Sequence, residues 1–275
     1  MFNALALMLM PEMTESGLDA GGWLGMSAAA FITALLAFLP LLPQIRQWLA
    51  RWLPINPDSL VHMTALVFAI YQIGLSLGQM ALLGNLKVLA NSEELLTIWD
   101  VVLSGIPLVL FALAGVGLLI RRRGPGTWQR LGLRRPTWKQ LLAAVGIAVL
   151  LLGFDFLVSW VWQGLDPAGY DMLEKVNENL FGGLATVGGA IALGLSAGIS
   201  EELLFRGAVQ PRLGLLLTTV LFTIGHLQYG LTLATLQVFV IGLVFGLMRK
   251  RTGSVIVCMV SHATYNMVGT LLGMI

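Results

Sequence analysis

GGLATVGGAIALGLSAGISEELLFR, residues 182–206, is the stretch that decides the fold. Its first 18 residues, 182–199, carry no charge; then Glu201, Glu202 and Arg206 arrive together. A spanning helix needs roughly 20 mostly apolar residues, so the run reads as a membrane span with three ionisable groups at its end. Such groups are costly within a bilayer and point to function by default.

The rest of the chain is of one kind with this stretch. Of 275 residues, 57% are hydrophobic and 11% charged, with a mean hydropathy of +0.85. Soluble domains carry about 25% charged residues. The composition therefore gives an integral, multi-pass membrane protein and an all-α helical bundle. A single cysteine, Cys258, excludes an intrachain disulfide and a multi-cysteine metal site. The apolar run at 4–10 is short and has no Lys or Arg before it, unlike a signal peptide. It reads as an interfacial tail.

Eight apolar runs are long enough to span, near 22–42, 60–83, 99–120, 141–162, 181–199, 213–228, 231–248 and 254–275. Basic residues follow every odd-numbered run: Arg46 and Arg51; the seven from Arg121 to Lys139; Arg206 and Arg212; and Arg249, Lys250 and Arg251. The opposite ends are mostly acidic, with Glu12, Glu15, Asp19, Glu93, Glu94, Asp100, Asp166, Asp171, Glu174 and Glu178 against Lys87 and Lys175. The positive-inside rule then places both termini outside. The arginine-rich segment 121–139 reads as an anchor on anionic lipid headgroups and not as a nucleic-acid site. An excess of Arg over Lys beside heavy Ala, Gly and Leu fits a GC-rich bacterium, and so a bacterial inner membrane.

The chain forms a single membrane domain, 1–275. A turn at Gly124-Pro125-Gly126 separates spans one to three (1–123) from spans four to eight (136–275). The pairs Gly194/Gly198 and Gly242/Gly246 have the spacing that lets helices approach closely.

Intramembrane chemistry gathers in the last third. Glu202 and Arg206, four apart, share a helix face and read as an ion pair. Glu201, turned about 100° away, is the carboxylate left over. Phe222 and His226 share one face, His262 and Asn266 another. Glu201 with His226 can take a proton from water; His262 and Asn266 can stabilise an oxyanion. Alternatively Glu201, His226 and His262 ligate Zn²⁺ in the three-ligand pattern of hydrolytic sites, though H-E-x-x-H is missing. Asp155, in span four, reads as a cavity or pairing residue. His62 is an interfacial histidine.

The order E-E-L-L-F-R (201–206), F-T-I-G-H (222–226), H-A-T-Y-N (262–266), with F-V-I-G-L-V-F-G-L-M-R-K-R-T-G-S (239–254) between the last two, resembles the CAAX protease and bacteriocin-processing (Abi-type) family. The Ras-converting CAAX prenyl endopeptidase belongs to it. The resemblance covers about 193–266. It implies an intramembrane endopeptidase whose substrate is a membrane-associated or lipidated protein or peptide. Glu201 and His226 would activate water; His262 and Asn266 would hold the oxyanion; Glu202 and Arg206 would support them. The family is often labelled metalloprotease, while its Ras-converting members are understood to use glutamate-activated water, so both mechanisms stay open. A non-catalytic scaffold or bacteriocin-immunity protein would use the same polar cluster structurally.

One tension concerns depth. His226 lies 14 residues beyond the cytoplasmic Arg212, roughly 21 Å at the helical rise. Either span six tilts or stops short, or the span-five helix runs on through Arg206 and sinks Glu201.

Overall fold

The protein is described by a computed structural model covering Ala28, residues 31–82 and residues 96–274. The N-terminal tail, most of 22–30, the charged segment 83–95 and Ile275 lie outside the described residues.

The described chain is helical, as its composition requires. Helix α1 (Phe31–Leu41) meets α2 (Pro43–Leu49) at a bend of 87°. Pro43 makes the break, since it cannot continue a helix but can start one. Then come α3 (Leu60–Leu82) and α4 (Ile98–Gly115). Thr97 and Asp100 cap α4 reciprocally, so one of the "outer" acids has a structural duty. Helix α5 (Gly124–Leu131) corrects the sequence reading: Gly124-Pro125-Gly126 is its first turn and not a loop, because Pro is suited to N1. Helix α6 (Trp138–Leu165) follows, capped by Thr137 and Gln140.

Helix α7 (Pro167–Phe181) is not announced by the span pattern. It carries the acids Asp171, Glu174 and Glu178 on an amphipathic helix, entered through Asp166, whose carboxylate accepts from Gly169 N at 3.0 Å. Helix α8 (Val187–Glu202) runs into a π-helical segment, Leu203–Val209, and that into α9 (Gln210–Ile224). Helices α10 (Leu233–Thr252) and α11 (Val255–Leu271) complete the fold.

Four helical stretches are long and apolar enough to cross a membrane: 98–115, 138–165, 187–224 and 233–252; the bent α1–α2 pair would make five. Leu60–Gly74 and Val255–Leu271 are shorter apolar helices. Large apolar side chains point outward from them, among them Leu142, Leu150, Phe156 and Trp160 on α6, as expected of a lipid-facing surface.

The stretch 187–224 cannot be straight. Glu201 and His226 are 25 residues apart, roughly 37 Å along a helix axis, yet their side chains approach to 3.8 Å. Arg206 likewise meets Phe222. Both pairings centre on Gly214, whose φ of 78° and ψ of 176° are non-helical. Glycine adopts such a backbone without the penalty other residues carry, and the chain folds back there. The depth problem is thereby answered: the span-five helix continues past Arg206, and His226 returns to the level of Glu201.

Glycines set the distances. A Cβ on Gly194 would meet Met267 and lie 2.7 Å from Ala263 O; one on Gly198 would lie 2.9 Å from Ala263 N. Helices α8 and α11 therefore pack nearly backbone to backbone, the fold's most extensive contact. Gly242 and Gly246 instead leave room on α10 for side chains of α9, Phe222 and Leu215, which occupy the space a Cβ would take. Ala144, Ala148, Leu151, Phe245, Val257 and Cys258 knit α6, α10 and α11 into one core.

Candidate active site

Four helices place the site. Glu201 and Glu202 end α8, where the α-helix passes into the π segment. The extra residue of a π turn leaves backbone carbonyls free of the regular pattern. Three are taken by arginines: Arg130 of α5 donates to Gly207 O (3.1 Å) and Ala208 O (3.3 Å), and Arg249 of α10 donates to Arg206 O (3.2 Å). Burial, then the cations Arg212, Arg122 and Arg249, lower Arg130 to about 10, so it is charged at neutral pH. These arginines, read from the sequence as topological anchors, thus have a structural task as well. They hold the segment that carries the two glutamates.

Glu202 is fully buried, and one of its oxygens serves two donors. Arg206 Nη1 donates to Oε1 at 2.9 Å, and His262 Nδ1 lies 2.9 Å from the same atom. Arg206 Nη2 also donates to Gly242 O at 3.0 Å. The rings of Phe222, Phe245 and Phe205 stand 4.3, 5.5 and 6.0 Å from its guanidinium carbon, a cation–π cage for a charge cut off from water. The i, i+4 pairing read from the sequence is present. The third member, His262, was not legible: it comes from 60 residues away.

Each histidine is oriented through Nδ1. His226 Nδ1 lies 2.9 Å from Phe222 O. A carbonyl only accepts, so Nδ1 carries the proton and Nε2 faces Glu201 Oε2 at 3.8 Å. Oε2 of Glu201 is buried without a hydrogen-bond partner. Two acceptors separated by that gap are suited to a shared donor such as water. For His262, Glu202 is the acceptor at Nδ1, and Nε2 is turned away from it. Phe222 packs on His226 with ring centres 4.7 Å apart, and Phe245 stacks on His262 at 5.0 Å. Phe245 lies in the 239–254 stretch and gave no sequence signal beyond its apolar neighbours.

Glu201, His226, His262 and Asn266 all line one cavity of about 250 Å³. Its wall includes Asp155 of α6, Asn177 of α7 and Tyr265 of α11, and Tyr265 donates to the Asp155 carboxyl. Asn266 sits one turn from His262 and is half-buried. His62 lies apart, its Nδ1 accepting from Asn56 N at 2.6 Å.

A Zn²⁺ site needs three ligands each about 2.0–2.2 Å from one point. Among the described residues no three His, Cys, Asp or Glu side chains converge in that way. Glu201, His226 and His262 as they stand do not form the ligand set.

With this geometry established, comparison with known proteins gives a match to a family model. Residues 183–268 match the family model described as Rce1-like, "Type II CAAX prenyl endopeptidase Rce1-like". The matched segment runs from the start of α8 into α11 and holds every motif residue above. It bears out the family resemblance drawn from those motifs. No curated protein and no solved structure gives a significant match.

Proposed function

We propose that this integral membrane protein, whose residues 183–268 match the Rce1-like CAAX endopeptidase family model, is an intramembrane endopeptidase. Its nucleophile is a water held between Glu201 and His226. The observation that carries the reading is the division of duties between adjacent glutamates. Glu202 is committed through Oε1 to Arg206 and His262, while the ionic partner of Glu201 among the described residues is His226 across 3.8 Å.

The chemistry follows from the donors and acceptors. A water donating to Glu201 Oε2 and His226 Nε2 has its oxygen lone pairs free to attack a peptide carbonyl. As the C–O bond forms, its proton passes to this pair, and the carbonyl oxygen becomes an oxyanion. The Asn266 amide donates to it. His262 donates through Nε2; with Nδ1–H engaged by Glu202, that requires the imidazolium form, whose charge Glu202 compensates. Collapse breaks the C–N bond, and the proton held by the Glu201/His226 pair goes to the departing amine. Preorganised donors of this kind are worth about 10²–10³ in rate each.

The eight apolar runs and the basic loops between them support eight spans with both termini outside. The cavity would then open to the cytoplasmic side of a bacterial inner membrane, with a membrane-associated or lipidated protein or peptide as substrate. The test is proteolysis by purified protein in liposomes, with a membrane peptide library read by mass spectrometry. Wild type yields defined cuts, and Glu201→Gln, with an unchanged unfolding midpoint, loses at least about 10³ in kcat/KM. Cleavage by Glu201→Gln at the wild-type rate sinks the proposal.

A further inference from the structure

The proposed reaction uses one region of the cavity and leaves another polar group set unassigned. Asp155 is 3% exposed, lines the cavity, and accepts a hydrogen bond from Tyr265. An acid in the middle of a membrane helix is costly, and a hydroxyl partner occupies only part of its accepting capacity. Facing it is α7. Helices α6 and α7 meet at Asp166, and Tyr170 of α7 lies within electrostatic reach of Asp155. The rings of Trp162 and Tyr170, four residues to either side of Asp166, lie 6.3 Å apart, and Tyr170 hydrogen-bonds Ser159. Asn177, two turns further along α7, lines the same cavity as Asp155. Asn177 Oδ1 is buried with no hydrogen-bond partner.

This part of the wall therefore presents a carboxyl group and an orphan amide oxygen, both acceptors. Among the described lining residues none is Lys or Arg, and the other acid is Glu201. Beside Asp155 and Asn177 an acidic side chain or a free terminal carboxylate would meet only acceptors, since the imidazolium proposed at His262 serves the oxyanion. An apolar side chain would leave the Asn177 oxygen unpaired, which is unfavourable in a buried site. A cationic side chain satisfies the oxygen and pairs with Asp155 in a medium where opposite charges attract more strongly than in water.

We propose that Asp155 and Asn177 form a specificity subsite that takes an ammonium or guanidinium side chain of the peptide substrate. The inference rests on the endopeptidase reading for its substrate, and its test is separable from that reading. The protein in nanodiscs carries Glu201→Gln to prevent turnover. Three labelled nine-residue apolar peptides, amidated at the C-terminus, differ only at the centre: Lys, norleucine or Glu. Binding is followed by fluorescence anisotropy. The Lys peptide should bind at least tenfold tighter than the norleucine peptide, and the Glu peptide more weakly than either. Asp155→Asn, which keeps an acceptor for Tyr265, should bring the Lys-to-norleucine ratio within twofold. Asn177→Leu, on a different helix, should lower it about threefold. Equal binding of Lys and norleucine, no binding of any peptide, or a ratio that survives Asp155→Asn overturns the subsite. Cleavage by wild type with a flat binding panel would leave proteolysis standing. Lys-selective, Asp155-dependent binding without cleavage of any peptide would do the reverse.

Discussion

Replacing Arg206 with Met tests the account of how this site is stabilised. Arg206 is 1% exposed, pairs with the fully buried Glu202 at 2.9 Å and donates to Gly242 O at 3.0 Å. Met fills similar volume among Phe205, Phe222 and Phe245 but provides no charge. Removing one partner of a buried pair costs about 3–5 kcal/mol. Glu202 retains His262, so the lower end applies; orphaning the Gly242 carbonyl adds about 1 kcal/mol. Arg206→Met should therefore lose about 4 kcal/mol, near 10³ in the folding equilibrium constant. The double variant Glu202→Gln/Arg206→Met leaves no uncompensated charge and should lose only about 1–2 kcal/mol. Equilibrium unfolding in mixed micelles, followed by tryptophan fluorescence, measures both. The reasoning fails if Arg206→Met is within 1 kcal/mol of wild type, or if the double variant is as unstable as the single one.

Three further outcomes follow from the same geometry. Gly198→Val should push α11 from α8, because even a Cβ lies 2.9 Å from Ala263 N; a loss of about 1–3 kcal/mol in the same unfolding assay, with most of the activity, is expected. Arg130→Ala should free the Gly207 and Ala208 carbonyls, lowering kcat with little change in KM, and Arg130→Lys should restore only part, since one ammonium cannot reproduce the fork. Asn266→Ala should reduce kcat about 10²-fold with KM nearly unchanged, as expected for a donor that acts on the oxyanion; a change confined to KM would assign it to binding.

Much of this was legible wherever the physics is local. The Glu202–Arg206 pairing is a matter of helical spacing, and so is the face shared by His262 and Asn266. That some helix approaches α8 closely was implied by Gly194 and Gly198, though not that it is α11. What sequence could not supply was long-range. Nothing within 201–206 indicates that Glu202 also binds His262, or that Phe245 stacks on it, because those contacts depend on how α10 and α11 cross α8. The depth conflict over His226 arose from treating Arg212 as a fixed membrane boundary. The chain instead carries its helix past Arg206, through a π segment clamped by Arg130 and Arg249, and reverses at Gly214. Composition misled twice. Gly124-Pro125-Gly126 looked like a turn but opens a helix, and the acids of 166–178 looked like an outer loop but lie on α7, which forms part of the cavity wall.

The central claim is that Glu201 and His226 act on one water. A double-mutant cycle on kcat/KM, with Glu201→Gln, His226→Asn and the pair together in liposomes, tests it most directly. Groups that serve a single step are strongly non-additive. The account predicts that each single variant loses about 10³ or more, and that the double variant is no more than about tenfold worse than either. Losses that multiply, or a His226→Asn protein that cuts at the wild-type rate, would contradict it.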